Sequence, residues 1–332
     1  MRYVLPLFVF GCAAQLAAAQ AVSGWLSSED MTHQLSPLEP MAFAPADEPD
    51  DDALVIDPTT RYQSVLGMGA SFEHATCYNL SRLGDERRRE VIRKLVHPED
   101  GIGMNLMRLC IGTSDFVGEP WYSYSDPPPG ETDPNLEHFS IDKDRDYLLP
   151  VIEAAREINP DLLYFASPWS PPAWMKTNGS MLAGKLEPKW YGVYAEYLVK
   201  YVEAYAGEGI PIYAITPQNE PNFPNREYPT CFWTPENQRD FIRDHLGPAF
   251  AAAQLDTEIW CWDHNFNYLD FPRTVLNDPE AAQYVDGIAF HHYEGQPEAM
   301  SEIQQEFPEK DIYFTEGSVF RTRGAIEIIR FF

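Results

Sequence analysis

Basic residues are scarce in this chain. Lys and Arg number 24 against 51 Asp and Glu, which gives a formal net charge of −27 over 332 residues. A surface this acidic repels phosphate backbones and anionic lipid headgroups, so nucleic acid and anionic membranes are excluded as constitutive partners. A neutral substrate is compatible with this charge, and so is a purely solubilising role for the acidic residues.

Long apolar runs are absent beyond the N-terminus. Arg2 precedes an apolar run at 3–14, and the small residues Ala17-Ala18-Ala19 follow it. This arrangement is typical of a secretory signal peptide, which we assign to residues 1–19. The run is too short to span a bilayer and no other run is long enough, so no integral membrane segment is expected. We therefore expect a secreted protein, extracellular or periplasmic, or lysosome-like in a eukaryotic source.

Cysteine is sparse and follows no recognisable pattern. Of the five cysteines, Cys12 lies in the predicted signal peptide, which leaves Cys77, Cys110, Cys231 and Cys261. The absence of a CxxC pair or a Cys/His cluster argues against a zinc site. One or two disulfides and buried free thiols are both compatible with the spacing, which does not fix a pairing.

Two regions follow the signal peptide. Residues 20–59 are rich in Ala, Ser, Pro and acidic side chains, and we interpret them as a leader that is irregular or part of a side β-sandwich. From 60 to 332, strand-like runs alternate with amphipathic helical patterns, which is typical of βαβ units in a parallel (β/α)8 TIM-type barrel. The predicted strands are 64–72, 104–112, 162–168, 211–216, 258–263, 286–291 and 311–315. The predicted helices are 85–97, 144–158, 189–207, 234–253, 273–284, 298–306 and 324–332.

The pattern provides seven strand–helix units, one fewer than a closed eight-stranded barrel needs. The eighth strand would follow Phe332, so we expect an incomplete barrel that is truncated at its C-terminus. The alternative is that Leu54-Val55-Ile56 of the leader supplies the missing strand. Closure matters because an open barrel leaves two unpaired parallel edges.

Two predicted strands end in glutamate. The run at 213–216 leads into Asn219-Glu220-Pro221, and the run at 311–315 leads into Glu316. Because the carboxyl ends of barrel strands share one face, the two carboxylates are expected to meet there. Two carboxyl groups in different environments are what retaining hydrolysis of a glycosidic bond requires, one as acid and one as nucleophile. For either glutamate alone, a solvated loop position is the alternative.

Three more residues are candidates for the same face. Arg108 lies inside the second predicted strand, where a cation needs an acidic partner; it either keeps Glu316 ionised or pairs with another acid. Asn219 offers an amide to a sugar hydroxyl, or caps the strand end as a turn residue. Trp169 ends the third strand among prolines, a rigid setting for an aromatic sugar platform.

No metal is expected at this face. The adjacent His291 and His292 would point to opposite sides of a strand, so they are poorly placed to chelate one ion. Tyr293, the next residue, is better placed to donate a hydrogen bond near the nucleophile.

These motifs resemble glycoside hydrolase family 30 over about residues 62–318, and most closely its glucosylceramidase (acid β-glucosidase) branch. The matching segments are 107–116 (MRLCIGTSDF), 166–176 (ASPWSPPAWMK), 215–221 (ITPQNEP), 234–249 (TPENQRDFIRDHLGPA), 278–293 (DPEAAQYVDGIAFHHY) and 314–317 (FTEG). The resemblance implies a (β/α)8 barrel with a side β-sandwich and cofactor-free retaining hydrolysis, with Glu220 as acid/base and Glu316 as nucleophile. The implied substrate-binding residues are Arg108, Trp169, Asn219, Tyr293, His74 and His291.

The sequence departs from the family pattern at two positions. His74 stands where the glucosylceramidase pattern has an acidic residue, with Glu73 beside it, and His292 replaces the central Trp of a His-Trp-Tyr trio. The expected function is a secreted retaining β-glycosidase that hydrolyses a β-glucoside of the glucosylceramide type. Family relatives acting on β-1,6-glucan or xylan are the alternatives within this class. An inactive truncated remnant that binds carbohydrate is the alternative of another class.

Overall fold

The computed structural model describes residues 21–28, 30, 32–33, 36–43, 55, 57–117 and 120–318. The chain divides into two compact units, residues 1–63 with 318–332, and residues 64–317. The predicted signal peptide (1–19), the flanks of the proposed leader strand (Leu54 and Ile56) and the predicted helix 324–332 lie outside the described residues.

The first unit contains two short antiparallel ladders within the predicted leader. Strand β1 (Ala21–Val22) pairs with β4 (Met41–Ala42). Strand β2 (Trp25–Leu26) pairs with β3 (Ser36–Pro37).

The second unit is built on a curled, six-stranded parallel sheet. Its strands are β5 (Leu106–Cys110), β6 (Leu163–Ser167), β7 (Ala214–Ile215), β8 (Glu258–Asn265), β9 (Gly287–His291) and β10 (Asp311–Glu316). Each strand pairs with the next one along the chain, so the sheet order repeats the sequence order. This half-barrel with helices between its strands confirms the predicted α/β class and the incomplete (β/α)8 barrel.

The first predicted strand, 64–72, is reduced to a single parallel bridge between Ser71 and Arg108. The segment still runs beside β5, because the Arg108 N–H donates to Ala70 and the Phe72 N–H donates to Arg108, at 3.1 and 2.9 Å. Gly69 makes this approach feasible. A Cβ at this position would lie 1.7 Å from the carbonyl oxygen of Leu106, so no larger residue fits.

Most predicted helices are present with altered bounds. The helices are α1 (His74–Ser81), α2 (Asp85–Val96), α3 (Leu148–Ile158), α4 (Tyr191–Gly207), α5 (Pro235–Phe241), α6 (Gly247–Ala252), α7 (Asp270–Leu276), α8 (Pro279–Ala282) and α9 (Glu298–Glu306). Short 3-10 turns at Asp142–Asp146, Ala173–Met175 and Pro188–Trp190 supplement them.

Two predicted helices are divided and one helix was missed, each for a local reason. The predicted helix 234–253 is divided by a π-turn at Ile242–Leu246, just before Pro248, which has no N–H to donate. The predicted helix 273–284 is two helices, because Asp278 caps a new start by accepting N–H groups from Glu280 and Ala281. Helix α1 was not predicted, since its sequence shows little amphipathic periodicity.

The interior of the sheet begins with an apolar floor. Its buried members are Phe165, Ala214, Trp260 and Ala289, and Leu66, Leu106, Tyr213 and Tyr313 pack against them. The rings of Trp260 and Tyr313 stack with centroids 3.7 Å apart. These aromatic rings exclude water from the side of the next layer of inward-facing side chains that contacts the floor.

The four cysteines in the described part of the chain, Cys77, Cys110, Cys231 and Cys261, are buried free thiols, so the disulfide alternative is wrong for them. Among the described residues, no helix combines the length and apolarity that a bilayer crossing needs.

Candidate active site

A tier of polar side chains lies one step above the apolar floor, toward the carboxyl ends of the strands. Side chains two residues apart point to the same face of a strand. Two residues beyond five of the floor positions, Leu106, Phe165, Ala214, Ala289 and Tyr313, another inward-facing residue therefore follows. These residues form the polar tier, and they are Arg108, Ser167, Thr216, His291 and Thr315, all buried.

Strand β8 joins this tier through a backbone irregularity. Its pairing with β9 shifts register between Trp262 and His264. Trp262 and Asp263 both adopt left-handed backbone conformations, with φ of 75° and 70°. Trp262 packs against Phe271 of α7, with ring centroids 4.4 Å apart, while the Asp263 carboxylate meets the polar tier. The bulge thus exchanges the two faces of the strand at this point.

Asp263 is the centre of the tier. Oδ2 accepts hydrogen bonds from Thr216 at 2.7 Å, Ser167 at 2.9 Å and Arg108 at 3.1 Å. Oδ1 accepts from Thr315 at 2.7 Å and faces His291 Nε2 at 2.9 Å. Burial acts to raise the pKa of Asp263, but the charges of Arg108 and His291 outweigh it and hold the pKa far below its ordinary value. Asp263 is therefore a permanent buried anion.

Glu316 ends β10 with two fixed donors. Arg108 Nη1 donates to Oε2, and the Tyr293 hydroxyl donates to Oε1 at 2.9 Å. Burial acts to raise the pKa of Glu316, yet the charges of His291 and Arg108 outweigh it, so the pKa lies below its ordinary value. Glu316 is thereby kept ionised and oriented, which is the state a nucleophilic carboxylate needs. The predicted contacts of Arg108 and Tyr293 with Glu316 are both present.

Glu220 is positioned by the bulge. Its backbone is left-handed, with φ of 47°, and its N–H donates to the carbonyl of Asp263 at 3.0 Å. Oε1 of its nearly buried side chain lies 3.3 Å from His291 Nδ1 and 3.6 Å from His264 Nε2. A carboxylate oxygen of Glu220 and one of Glu316 lie within 4.8 Å of each other.

Asn219 and Trp169 complete the surroundings of Arg108. Asn219 Oδ1 accepts from Arg108 Nη2 at 2.8 Å. The buried indole of Trp169 covers the guanidinium at 4.9 Å from the ring centroid, a cation–π contact. Both residues therefore reach the predicted place, and their contact with a sugar stays a prediction. Since Arg108 pairs with both Asp263 and Glu316, its two predicted roles coexist.

His74 does not face this site. Helix α1 begins at His74, so the alternation of a strand no longer sets the direction of its side chain. The ring is 1% exposed and its Nε2 lies 3.0 Å from the hydroxyl of Tyr122. Tyr122 in turn donates to the buried Asp144 at 2.9 Å. The prediction of a substrate contact for His74 is wrong, because the residue belongs to this buried network.

Several acidic and basic groups at the site were not predicted. Asp263 was missed because the bulge breaks the alternation on which strand predictions rest. Asp115, exposed in the loop after β5, has its pKa raised to about 6 by desolvation and by the charges of Glu73, Glu316 and Glu220. His264 follows Asp263, and burial lowers its pKa to about 4, so it is neutral at physiological pH. A signal for Asp115 was present in the sequence, since it follows a predicted strand end.

Two groups of side chains have the spacing of metal ligands among the described residues. They are Glu73, His74 and Cys110, and Glu220, His291 and Glu316, with ligand atoms within 4.8 Å of one another in each group. In the first, Glu73 already accepts hydrogen bonds from Ser71 and Ser114. In the second, the carboxylates face Arg108, His291 and Tyr293. Protein donors therefore face at least one oxygen of each carboxylate in the two groups.

The sequence pattern of the Glycosyl hydrolase family 30 TIM-barrel domain matches residues 65–325. The chain belongs to glycosyl hydrolase family 30. This membership confirms the predicted resemblance, and it places the polar tier at the carboxyl ends of the strands of a family 30 barrel.

Two named activities recur among the curated relatives. The chain is 35% identical over 257 residues to endo-1,6-beta-D-glucanase neg1 of Aspergillus fumigatus, covering 72% of this chain and 52% of that protein. It is 34% identical over 251 residues to the lysosomal acid glucosylceramidase of Mus musculus, covering 72% and 48%. A solved endo-beta1,6-glucanase structure matches with a TM-score of 0.81 at 34% identity, covering 90% and 65%. The chain spans about half the length of these two curated relatives.

Tyr293→Phe tests the donor on Glu316. We expect kcat on an aryl β-glucoside to fall about 10-fold, since one hydrogen bond to a charged group is lost while Arg108 keeps Glu316 ionised. Tyr268→Phe is a matched control, because this tyrosine has the same exposure of 38% and no hydroxyl contact with the carboxylates. An equal loss in both variants would contradict the specific contact.

Proposed function

We propose that the protein is a retaining β-glycosidase in which Glu220 is the acid/base and Glu316 the nucleophile. The observation that carries this proposal is the separation of the two carboxylates, whose oxygens lie within 4.8 Å. Retaining glycosidases hold their carboxyl groups about 5–5.5 Å apart, whereas inverting enzymes leave about 6.5–9.5 Å for a water. The short separation supports double displacement.

The two carboxylates differ in the way that this reaction needs. Glu316 is fixed by Arg108 and Tyr293 and is ionised, so an oxygen is ready to attack the anomeric carbon. Glu220 has no Arg or Lys partner among the described residues and faces two imidazoles. In the first step Glu220 gives a proton to the leaving oxygen as Glu316 forms the ester. In the second step Glu220 takes a proton from the water that displaces Glu316.

For the substrate, we infer a β-1,6-linked glucan as the first candidate. Similarity to two endo-1,6-beta-D-glucanases and to a solved endo-beta1,6-glucanase supports it. The surroundings of the acid/base agree with a sugar as the leaving group. Phe223 is 42% exposed and meets His264 edge-on, with ring centroids 6.3 Å apart, and Asn222 is hydrogen-bonded to the same imidazole. An aromatic ring beside polar groups suits a pyranose, which has apolar faces and hydroxyl edges.

A glucosylceramide-type lipid is the second candidate. Similarity to the lysosomal acid glucosylceramidase of Mus musculus and to a putative glucosylceramidase of Caenorhabditis elegans supports it. A lipid with two long hydrocarbon chains needs a contiguous apolar surface at the leaving-group side, and the polar partners of Glu220 disfavour this arrangement.

The test is a panel of substrates with a stereochemical readout. The purified chain is assayed on β-1,6-gluco-oligosaccharides, xylo-oligosaccharides, glucosylceramide in detergent and an aryl β-glucoside. We expect the highest kcat/KM on the β-1,6-gluco-oligosaccharides, and a β anomer as the first product seen by proton NMR. An α anomer would overturn the two-glutamate mechanism. A preference for glucosylceramide would overturn the glucan assignment alone, and inactivity on every substrate would favour the carbohydrate-binding alternative.

A further inference from the structure

His291 is a fully buried imidazole with a carboxylate at each nitrogen. Nε2 lies 2.9 Å from Asp263 Oδ1, and Nδ1 lies 3.3 Å from Glu220 Oε1. Glu316 Oε1 is also near, 3.9 Å from Nδ1. The titratable groups around the ring come from β8, β10 and the loops after β7 and β9. They are Glu220, Asp263, His264, Tyr293 and Glu316, with Arg108 of β5 behind Asp263.

The contacts of His291 fix the number of protons that the ring and its two carboxylate neighbours carry. Asp263 is a permanent anion, so Nε2 must carry a hydrogen that it donates to Asp263. A neutral imidazole has only one N–H, which would leave the lone pair of Nδ1 facing an oxygen of Glu220. Two lone pairs facing each other repel, so the line from Nδ1 to Glu220 Oε1 requires one more proton. This proton resides on the imidazole or on the carboxyl group.

We propose that His291 is the proton partner of Glu220: the pair holds one shared acid proton between Nδ1 and Oε1, and Asp263 fixes the ring by accepting the Nε2 hydrogen. The inference rests on the proposed function and adds to it where the acid proton is held. His291 acts through Glu220 and does not itself contact the substrate.

The shared proton follows the two steps of the reaction. When the glycosidic bond breaks, its electron pair stays on the leaving oxygen, which takes the shared proton through Glu220. His291 is then neutral at Nδ1 and Glu220 is a carboxylate, while Glu316 is bonded to the anomeric carbon. When water attacks, the bond to Glu316 breaks and its electrons return to Glu316. The proton lost by the water passes to Glu220 and restores the shared proton.

The charge on Glu316 couples these events. Burial acts to lower the pKa of His291, but the charges of Glu316 and Asp263 raise it to about 9. As Glu316 becomes an ester, one of these charges disappears, so the imidazolium holds its proton less tightly in the step that consumes the proton. After that step the bare Nδ1 lone pair makes Glu220 a better base, which suits the second step.

The direction of the pH effect follows from these charges. A proton on a group with a raised pKa is present below that pKa and is lost as the pH rises through it. With His291, the pair retains its acid proton into the alkaline range. In His291→Gln only Glu220 carries the proton, so the alkaline limb of kcat/KM is expected to move to lower pH by about one unit or more. In Asp263→Asn it moves in the same direction.

The kinetic experiment compares variants on two leaving groups. For His291→Gln, we expect kcat/KM to fall about 10²-fold on an unactivated β-glucoside and far less on a dinitrophenyl β-glucoside, which needs no acid. Ser167→Ala is the control, because it removes one donor from Asp263 Oδ2 and leaves the charge and the contact between Oδ1 and His291 intact. Its alkaline limb should stay in place. The proposal would be overturned if the alkaline limb of kcat/KM stayed in place in both His291→Gln and Asp263→Asn. It would also be overturned if His291→Gln lowered kcat/KM equally on the two substrates.

A second measurement uses the unaltered protein. A 2-fluoroglucoside that esterifies Glu316 is added, ester formation is followed by mass spectrometry, and the nitrogen-15 shifts of His291 are recorded by NMR before and after. We expect Nδ1 to lose its proton on esterification. An ester with Nδ1 still protonated would overturn the proton partnership alone. Failure to form the ester at Glu316 would overturn the proposed function, so the two failures are distinguishable.

Discussion

Glu316→Gln is expected to lower kcat on β-glucosides by about 10⁴-fold or more, because an amide cannot form the glycosyl ester. The substitution nearly preserves the size of the side chain and its contact with the Tyr293 hydroxyl. It removes the negative charge that faces Arg108 and His291. Activity is measured on an aryl β-glucoside, and covalent labelling by a 2-fluoroglucoside is followed by mass spectrometry.

The control is a glutamate that lacks the contacts with Arg108, His291 and Tyr293. Glu294 lies in the loop after β9, is exposed and accepts a hydrogen bond from Asn267. Glu294→Gln makes the same chemical change near the site and should keep kcat within about two-fold. If Glu316→Gln retained labelling by the fluoroglucoside, another residue would be the nucleophile.

Glu220→Gln is expected to separate substrates by their leaving groups. On an unactivated β-glucoside, kcat/KM should fall about 10²- to 10⁴-fold, because the leaving oxygen receives no proton. On a dinitrophenyl β-glucoside the first step should be nearly unaffected, and the ester should accumulate because no base activates water. The burst of dinitrophenol in stopped-flow kinetics measures this accumulation.

Added azide gives an independent check of the acid/base assignment. As an anion that needs no deprotonation, azide should displace the ester and restore turnover of the dinitrophenyl substrate, with β-glucosyl azide as the product. Glu227→Gln, an exposed position in the same loop, should show neither the burst nor the azide effect. Equal losses of Glu220→Gln on activated and unactivated substrates would contradict the assignment.

Most of the polar tier could be predicted from the alternation of strand residues. Arg108 and Thr315 follow inward-facing apolar residues at a spacing of two, and both lie inward as this period requires. The two strand-end glutamates were found because their strands end in polar motifs. The alternation predicts which face of the sheet a side chain lies on. It does not predict which residue of a neighbouring strand that side chain contacts, because this depends on the stagger between the strands.

The other features of the site could not be predicted from the sequence, for physical reasons that differ from one feature to the next. Asp263 was missed because a bulge reverses the two faces of β8, and no glycine marks the position. His74 was misplaced because a helix begins there instead of a loop. The oxidation state of the cysteines depends on distances between segments that are remote in sequence. The sequence does not select the substrate, because the leaving-group side is formed by loops, whose lengths and contacts vary within one fold.

The bulge in β8 has a consequence for how the protein can be stabilised. Trp262, Asp263 and Glu220 hold left-handed conformations without being glycine, and such residues cost of order 1–3 kcal/mol each. Glycine in place of Glu220 would relieve this strain but would remove the proposed acid/base. At Trp262 glycine would delete a buried indole, and at Asp263 it would leave the buried charges of Arg108 and His291 without this partner, so both changes would lower stability. Relief of backbone strain and the proposed catalytic role are therefore opposed at Glu220, and engineering for heat tolerance should begin elsewhere in the barrel.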